Sequence, residues 1–510
     1  MDLYFEVQTK RSRRADRFSS VTQPMQLPGF VLCHNNNWED YGFHNWYALH
    51  YFDSNGTWKM IGELHLMHTS GESKTMLQNH FQSLSADFCS LGNNVDYYEE
   101  MYRILGTKMS IKVLSALQDS AVSLPIYEKY REHEVFKNSL RREAFDTERA
   151  LRMAKFIING RKMSEAFKFK YLFRPDYNEE CVTEWVVDFK IKVNPFMRMA
   201  GVIGENGVGK TQLLHKFIKD LLSGKKDAFN SEMPVFSSVI AVCSTPFDAF
   251  MMIDSTNIIL PYTKNCVEQN IQETERKISE AAKAIYKRGM LHHHQLMDDY
   301  VSRLQKELPT EDITSVFELR ESAFEDMDHW IIHQDKLHVL IEKLSSGQLQ
   351  VLMLLTTVYE HVNYDSLFVI DEPEVHLHPN AIMAFLRLLS ELLDVFQSYA
   401  IITTHSPLVV REMVGRNVFS MRRLEANNVY IGHCDRETFG EDIGTLYKEI
   451  FGYDDNKSCF REQVMDLITE GCEYDNILGR LGVKNLSLNS RFTIRNMLKD
   501  YKQSIKQDEK

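Results

Sequence analysis

Cysteine is sparse in this chain and carries no pattern: the eight residues, at positions 33, 89, 181, 243, 266, 434, 459 and 472, form no Cys-x-x-Cys pair and no regular spacing. That argues against a zinc ribbon or a disulfide scaffold and suits reduced thiols in a cytosolic protein. No apolar run approaches the length of a membrane span, and the opening Met-Asp-Leu-Tyr-Phe-Glu puts acidic residues where a signal peptide needs basic ones. The expectation is a cytoplasmic protein with no membrane partner. Positive charge is not in surplus either: a net charge of -12 excludes a protein that coats nucleic acid over most of its surface, while leaving room for a local basic patch.

What is present is ordinary globular composition, with 44% hydrophobic and 25% charged residues, over 510 residues. That length exceeds what one core serves, so two or three domains are expected. Residues 1–30, with Lys10, Arg11, Arg13, Arg14 and Arg17 ahead of Pro24 and Pro28, read as a basic arm. From Trp38 to Leu66 the pattern is aromatic and alternating around Asp53-Ser54-Asn55-Gly56, which predicts a hairpin. Gln78 to Leu91 and Tyr97 to Ala121 carry apolar residues at helical spacing. With a charged helix near Arg141 to Ile158, residues 31–165 read as a small α+β domain of unknown role.

Thr183 to Val193 alternates like a strand, and Met199 to Ile203 is a short apolar strand that runs into a glycine-rich loop. Gly204-Glu205-Asn206-Gly207-Val208-Gly209-Lys210-Thr211 fits G-x-x-x-x-G-K-[ST], with a helix expected from Gln212. In that setting the glycines let backbone N–H groups turn toward phosphates, Lys210 reaches the β and γ phosphates of ATP, and the Thr211 hydroxyl ligates Mg²⁺. Leu367-Phe368-Val369-Ile370-Asp371-Glu372-Pro373-Glu374 is the complementary half, an apolar strand ending in carboxylates. There Asp371 serves the Mg²⁺ shell and Glu372 orients the attacking water.

Leu344-Ser345-Ser346-Gly347-Gln348, placed between the loop and the Asp371 strand, resembles the signature motif of the ABC superfamily. Ser346 stands where that motif has its first glycine. The resemblance implies an α/β fold, a P-loop ATPase head with a RecA-like mixed sheet and a helical lobe, with the N-terminal α+β domain added. It also implies two ATP molecules held between head-to-tail protomers, with Ser345 and Gly347 reaching the γ phosphate in trans. Thr403-Thr404-His405-Ser406-Pro407 looks like the switch-histidine motif, in which His405 senses the γ phosphate. No glutamine ends the strand Ser238 to Val242; Ser244-Thr245-Pro246-Phe247-Asp248 stands there, so the residue with the Q-loop role is unassigned.

The run Asp371 to Pro379, which includes His376, Leu377 and His378, resembles the soluble branch of Rad50, RecF, OLD-type and anti-phage ATPases more than transporter subunits. So does Glu437-Thr438-Phe439-Gly440 to Phe451-Gly452. Within that branch the chain resembles the PtuA ATPases of Septu and retron systems, which act with an HNH nuclease. The resemblance covers residues 180–460 and implies a homodimer, or a higher oligomer, that controls an effector, with DNA or a retron RNA–DNA as nucleic-acid partner. The alternatives are a DNA-repair ATPase and, less favoured, the energising subunit of a transporter.

Residues 260–340 read as a helical insertion, with Ile271, Ile278 and Ile285 at heptad spacing; folded back once, it reaches at most roughly 100 Å, too short for long coiled arms. His292, His293 and His294 read as exposed surface, because adjacent histidines on a helix point in different directions. Residues 461–510 read as a helical tail. Glu470 to Asp475 resembles the first acidic motif of a Toprim nuclease, but the chain beyond it is short for the rest of that sheet, so no nuclease activity of its own is expected.

Overall fold

The computed structural model describes residues 3–10, 21–35, 43–71, 77–140, 144–162, 165–178, 180–189, 198–230, 233–243, 253, 260–266, 271–292, 296–320, 329–375, 377–424, 428–451, 458–483 and 485–508. Arg11, Arg13, Arg14, Arg17, residues 244–248, His293, His294, His376 and Gly452 lie outside them.

The N-terminal region is a six-stranded sheet of β1 (Phe5–Lys10), β2 (Gly29–Asn35), β3 (Trp46–Phe52), β4 (Trp58–His68), β5 (His80–Phe81) and β6 (Phe88–Gly92). It is ordered β5-β1-β2-β3-β4-β6 and followed by α1 (Val95–Ala116), α2 (Leu124–Tyr130) and α3 (Ala144–Ile158). The β3–β4 hairpin turns where expected, because Asp53 Oδ1 accepts both Asn55 N–H and Thr57 N–H at 2.9 Å. Two expectations fail here. Phe5–Lys10 is not arm but a strand parallel to β2, with Phe5 fully buried. The run 78–91 is not helical: it supplies β5 and β6, because Cys89 and Leu91 are buried by pairing with β4, and a short apolar run fits either period.

A two-stranded sheet of β7 (Phe169–Phe173) and β8 (Thr183–Val187) leads to the main sheet. That sheet begins with β9 (Met199–Gly204), α4 (Lys210–Leu222), β10 (Val239–Cys243) and β11 (Tyr262–Cys266). The helical insertion follows as α5 (Ile271–His292), α6 (Leu296–Glu307), α7 (Thr310–Val316), α8 (Gln334–Lys343) and α9 (Ser346–His361). It also holds a hairpin, β12 (Phe317–Arg320) and β13 (His329–Ile332), that periodicity did not reveal. Ile278 and Ile285 of α5 are fully buried and Ile271 is exposed, so the heptad serves a packed lobe.

The chain returns to the sheet through β14 (Leu367–Asp371), α10 (Pro379–Val395), β15 (Tyr399–Thr403), α11 (Pro407–Arg411), β16 (Val418–Arg423) and β17 (Val429–His433). The seven strands are ordered β11-β10-β14-β15-β9-β16-β17, all parallel except β17. This is an α/β P-loop ATPase fold.

The boundary expected between residues 165 and 180 does not separate two bodies. Residues 1–440 form one compact unit, in which a single apolar core runs from Phe5 and Leu49 through Trp185 to Leu213 and Val369. Phe167 joins the two regions by packing on Phe236 and Tyr399, the latter ring 4.4 Å away. The second unit, residues 441–510, starts earlier than the expected 461. It holds α12 (Ile443–Glu449), α13 (Cys459–Thr469), α14 (Tyr474–Arg480) and α15 (Leu488–Asp508), with Val464, Ile468, Ile477 and Ile494 as its core. Glu470 ends α13 and pairs with Arg480.

Candidate nucleotide site

The strand order brings the carboxyl ends of β14, β15 and β9 side by side, the edge of a parallel sheet where ligands bind. From β9 the chain passes directly into Gly204–Gln212. Gly209 caps α4 with φ of +111°, a conformation that L side chains rarely adopt, and offers no side-chain cap. The first-turn N–H groups of α4 therefore lack an intrahelical partner at the positive end of the helix dipole. A cavity of about 510 Å³ opens there, lined by Asn206, Gly207, Gly209, Lys210, Thr211, Gln212, Glu372 and His405, with Asp176 and His215 at its side.

Lys210 is buried, and its Nζ donates to the carbonyls of Gly204 (3.1 Å) and Glu205 (3.3 Å) and to His405 Nε2. Burial lowers its pKa, opposed by the carboxylates of Glu372, Asp371 and Glu374. Burial and the Lys210 charge also push the His405 ring below its ordinary value, toward the neutral form that accepts from Lys210. His405 Nε2 lies 3.1 Å from Glu372 Oε1. Thr211 Oγ1 donates to Asp371 Oδ2 at 2.8 Å, while Asp371 Oδ1 accepts from Thr403 Oγ1. A hydroxyl beside a carboxylate is a hard-oxygen donor set of the kind Mg²⁺ takes when it keeps waters and phosphates as its other ligands. Among the described residues no cluster of three or more His, Cys, Asp or Glu forms an all-protein metal cage.

Of the remaining loop residues, Glu205 and Asn206 are exposed, Val208 is buried, and Gln212 pairs with Asp176. Four groups here were given no place in the site from the sequence. Tyr177 OH donates to Val208 O at 3.2 Å, and Arg423 donates to Gly207 O at 3.1 Å while lying 4.3 Å over the Tyr177 ring. No local pattern marks either. Thr403 and Glu374 stood inside quoted motifs, and the Thr-Thr doublet and the second glutamate were the available signals.

Ser345 to Gln348 do not line this cavity. Ser345 and Ser346 are exposed at the start of α9, where Gln348 N–H donates to Ser345 Oγ (3.3 Å) and Ser345 N–H to Gln348 Oε1 (3.0 Å). Gly347 is buried within its own protomer: a Cβ there would stand 2.8 Å from Ala381 Cβ and 3.6 Å from Leu377 Cδ2. Its lack of a side chain is thus required by the fold, whatever its backbone meets in a second copy.

The fold is an α/β P-loop ATPase fold, with the site at the carboxyl ends of β9, β14 and β15. A family model described as an AAA domain, putative AbiEii toxin, type IV toxin–antitoxin system, matches residues 270–411, which span α5 through α11 and include Asp371, Glu372 and His405. Over most of its length the chain is similar to protein ea59 of Escherichia phage lambda, 26% identical over 489 residues, covering 88% of this chain and 92% of that protein. Among solved structures, cbiO1 of Clostridium perfringens, part of an ABC transporter complex, is 16% identical over 60% of this chain and 96% of its own, with a TM-score of 0.30. UvrA2 of Deinococcus radiodurans is 13% identical over 51% of this chain and 36% of its own, with a TM-score of 0.29. Among the described residues no helix is long and apolar enough to cross a membrane.

Proposed function

We propose that the chain binds ATP with Mg²⁺ in the Lys210 cavity, hydrolyses it to ADP and phosphate, and uses the cycle to pair with a second copy. The observation that carries this reading is the convergence of Lys210, the Thr211–Asp371 pair, Glu372 and His405 on one cavity at the sheet's carboxyl edge. In it, Gly204 to Gln212 wrap the phosphates, Lys210 spans the β and γ phosphates, and Thr211 and Asp371 hold the Mg²⁺, whose charge stabilises the transferring phosphoryl group. Glu372 orients and polarises the attacking water, and His405 reports the γ phosphate. Ser345 to Gln348, exposed or at the helix start rather than in the cavity, close the site of the opposing protomer.

The paired state acts in the cytoplasm on an effector, a nuclease such as an HNH enzyme, in conflict between bacterium and phage, with DNA or RNA–DNA as the nucleic acid involved. The form of Asp371 to Pro379 and Thr403 to Pro407 supports this, as do the toxin–antitoxin description of the matching family and the phage origin of the relative. The test is calorimetric titration of Mg·ATP into wild type and Lys210→Ala. Losing the buried cation should weaken binding by at least about a hundredfold. Equal affinity removes the loop assignment.

A further inference from the structure

Glu374 has no role in the reading above, yet it is tied to the histidine loop by two hydrogen bonds. Its Oε1 accepts from Thr404 Oγ1 at 2.7 Å and from His405 N–H at 2.6 Å, fixing the backbone from which the His405 ring reaches Lys210 and Glu372. Its Oε2 is buried with no hydrogen-bond partner among the described residues, so among these it is the histidine loop that holds the carboxylate. The same turn continues into α10 through Leu377 N–H, which donates to Glu374 O at 3.2 Å. Leu377 and Ala381 are the side chains against which Gly347 packs, one residue from the exposed Ser346 and two from the cap Ser345. The turn is thus in contact with the histidine loop on one side and with the start of α9 on the other.

We infer that Glu374 is a positioning residue that couples the His405 loop of one protomer to the Ser345 end of α9, which that protomer offers to its partner. ATP at one site thereby prepares the surface that completes the other. This rests on the head-to-tail ATP dimer proposed above, and the experiment separates the two.

Full-length Glu372→Gln serves as the parent, because it slows hydrolysis and holds the ATP state. ATP affinity is read by calorimetry and ATP-dependent dimerisation by light scattering, with circular dichroism melting as the check on folding. Adding Glu374→Ala should leave ATP affinity within about threefold and weaken ATP-dependent dimerisation by at least about tenfold, whereas Glu374→Gln, which keeps an acceptor at Oε1, should retain most of it. Undiminished dimerisation in Glu374→Ala overturns the inference. So does a parallel loss of ATP affinity, which makes Glu374 part of the nucleotide cradle only. If the parent binds ATP yet never dimerises, the dimer reading itself fails and the inference falls with it.

Discussion

Strand β14 has a buried carboxylate near each end, and the two are held in opposite ways. Asp371, at the carboxyl end, is held by hydroxyls, Thr211 at 2.8 Å and Thr403. Asp365, two residues before the strand, has a fully buried side chain between two guanidiniums, Arg149 at 2.9 Å and Arg152 at 3.2 Å. Neutral donors orient a carboxylate without cancelling its charge, and that leaves Asp371 able to attract a cation. Arginines cancel it, and that makes Asp365 a clasp between α3 and the corner joining α9 to β14. Arg288 of α5 secures the same corner by donating to the carbonyls of Tyr359 (2.8 Å) and Val362 (2.7 Å). One strand thus separates chemistry from scaffold by the choice of partner.

Two substitutions should pull the ends apart. Asp371→Asn keeps shape and an acceptor but removes the charge, so ATP turnover should fall by about a thousandfold with the melting temperature nearly unchanged. Steady-state kinetics against Mg²⁺ concentration, with a melt alongside, checks both halves. Asp365→Ala should do the reverse, destabilising the fold by about 3–5 kcal/mol because two buried guanidiniums lose their partner. Burial raises the Asp365 carboxyl against the pull of both arginines and lowers Arg152, so neither side is at ease alone. Denaturant unfolding measures this loss, and a variant as stable as wild type would make the clasp ornamental.

The contrast also explains what the sequence revealed. Gly204 to Thr211, Asp371-Glu372 and Thr403 to Pro407 each compress their chemistry into a few consecutive residues, and Ser345–Gln348 is a local capping box, so all could be read without a fold. The Asp365 partners lie 216 and 213 residues upstream, and the Arg423–Tyr177 pair is equally non-local. The strands at 78–91 were hidden for a related reason: β5 pairs with β1 and β6 with β4, and such pairing leaves no mark on local periodicity. Gly347 sits between these cases, legible as a motif position but constrained by Leu377 and Ala381, which only the fold supplies. Gly347→Ala should therefore cost about 1–3 kcal/mol through overpacking, read in a thermal melt, while the exposed Ser346→Ala should cost almost nothing. Equal stability of the two would free position 347 for a role outside its own protomer.

A third buried carboxylate is held by a hydroxyl and two backbone N–H groups, and it sharpens the comparison with the smallest effect. Asp119 is fully buried in the N-terminal region, accepting from Tyr98 OH at 3.0 Å and, through Oδ1, from Ala121 N–H (2.9 Å) and Val122 N–H (3.2 Å). Burial pushes its pKa up to about 7, and these hydrogen bonds only partly counter that rise. The group is protonated in both states below about pH 4, the ordinary aspartate range. Between there and about 7 the folded protein keeps a proton that the unfolded chain releases, so the Asp119 contribution to stability falls as pH rises and is fully lost above 7. Asp119→Asn cannot titrate. Its melting temperature relative to wild type should therefore rise between pH 5 and pH 8, whatever the substitution costs at either pH. A constant difference across that range would mean that Asp119 is ionised in the fold throughout it.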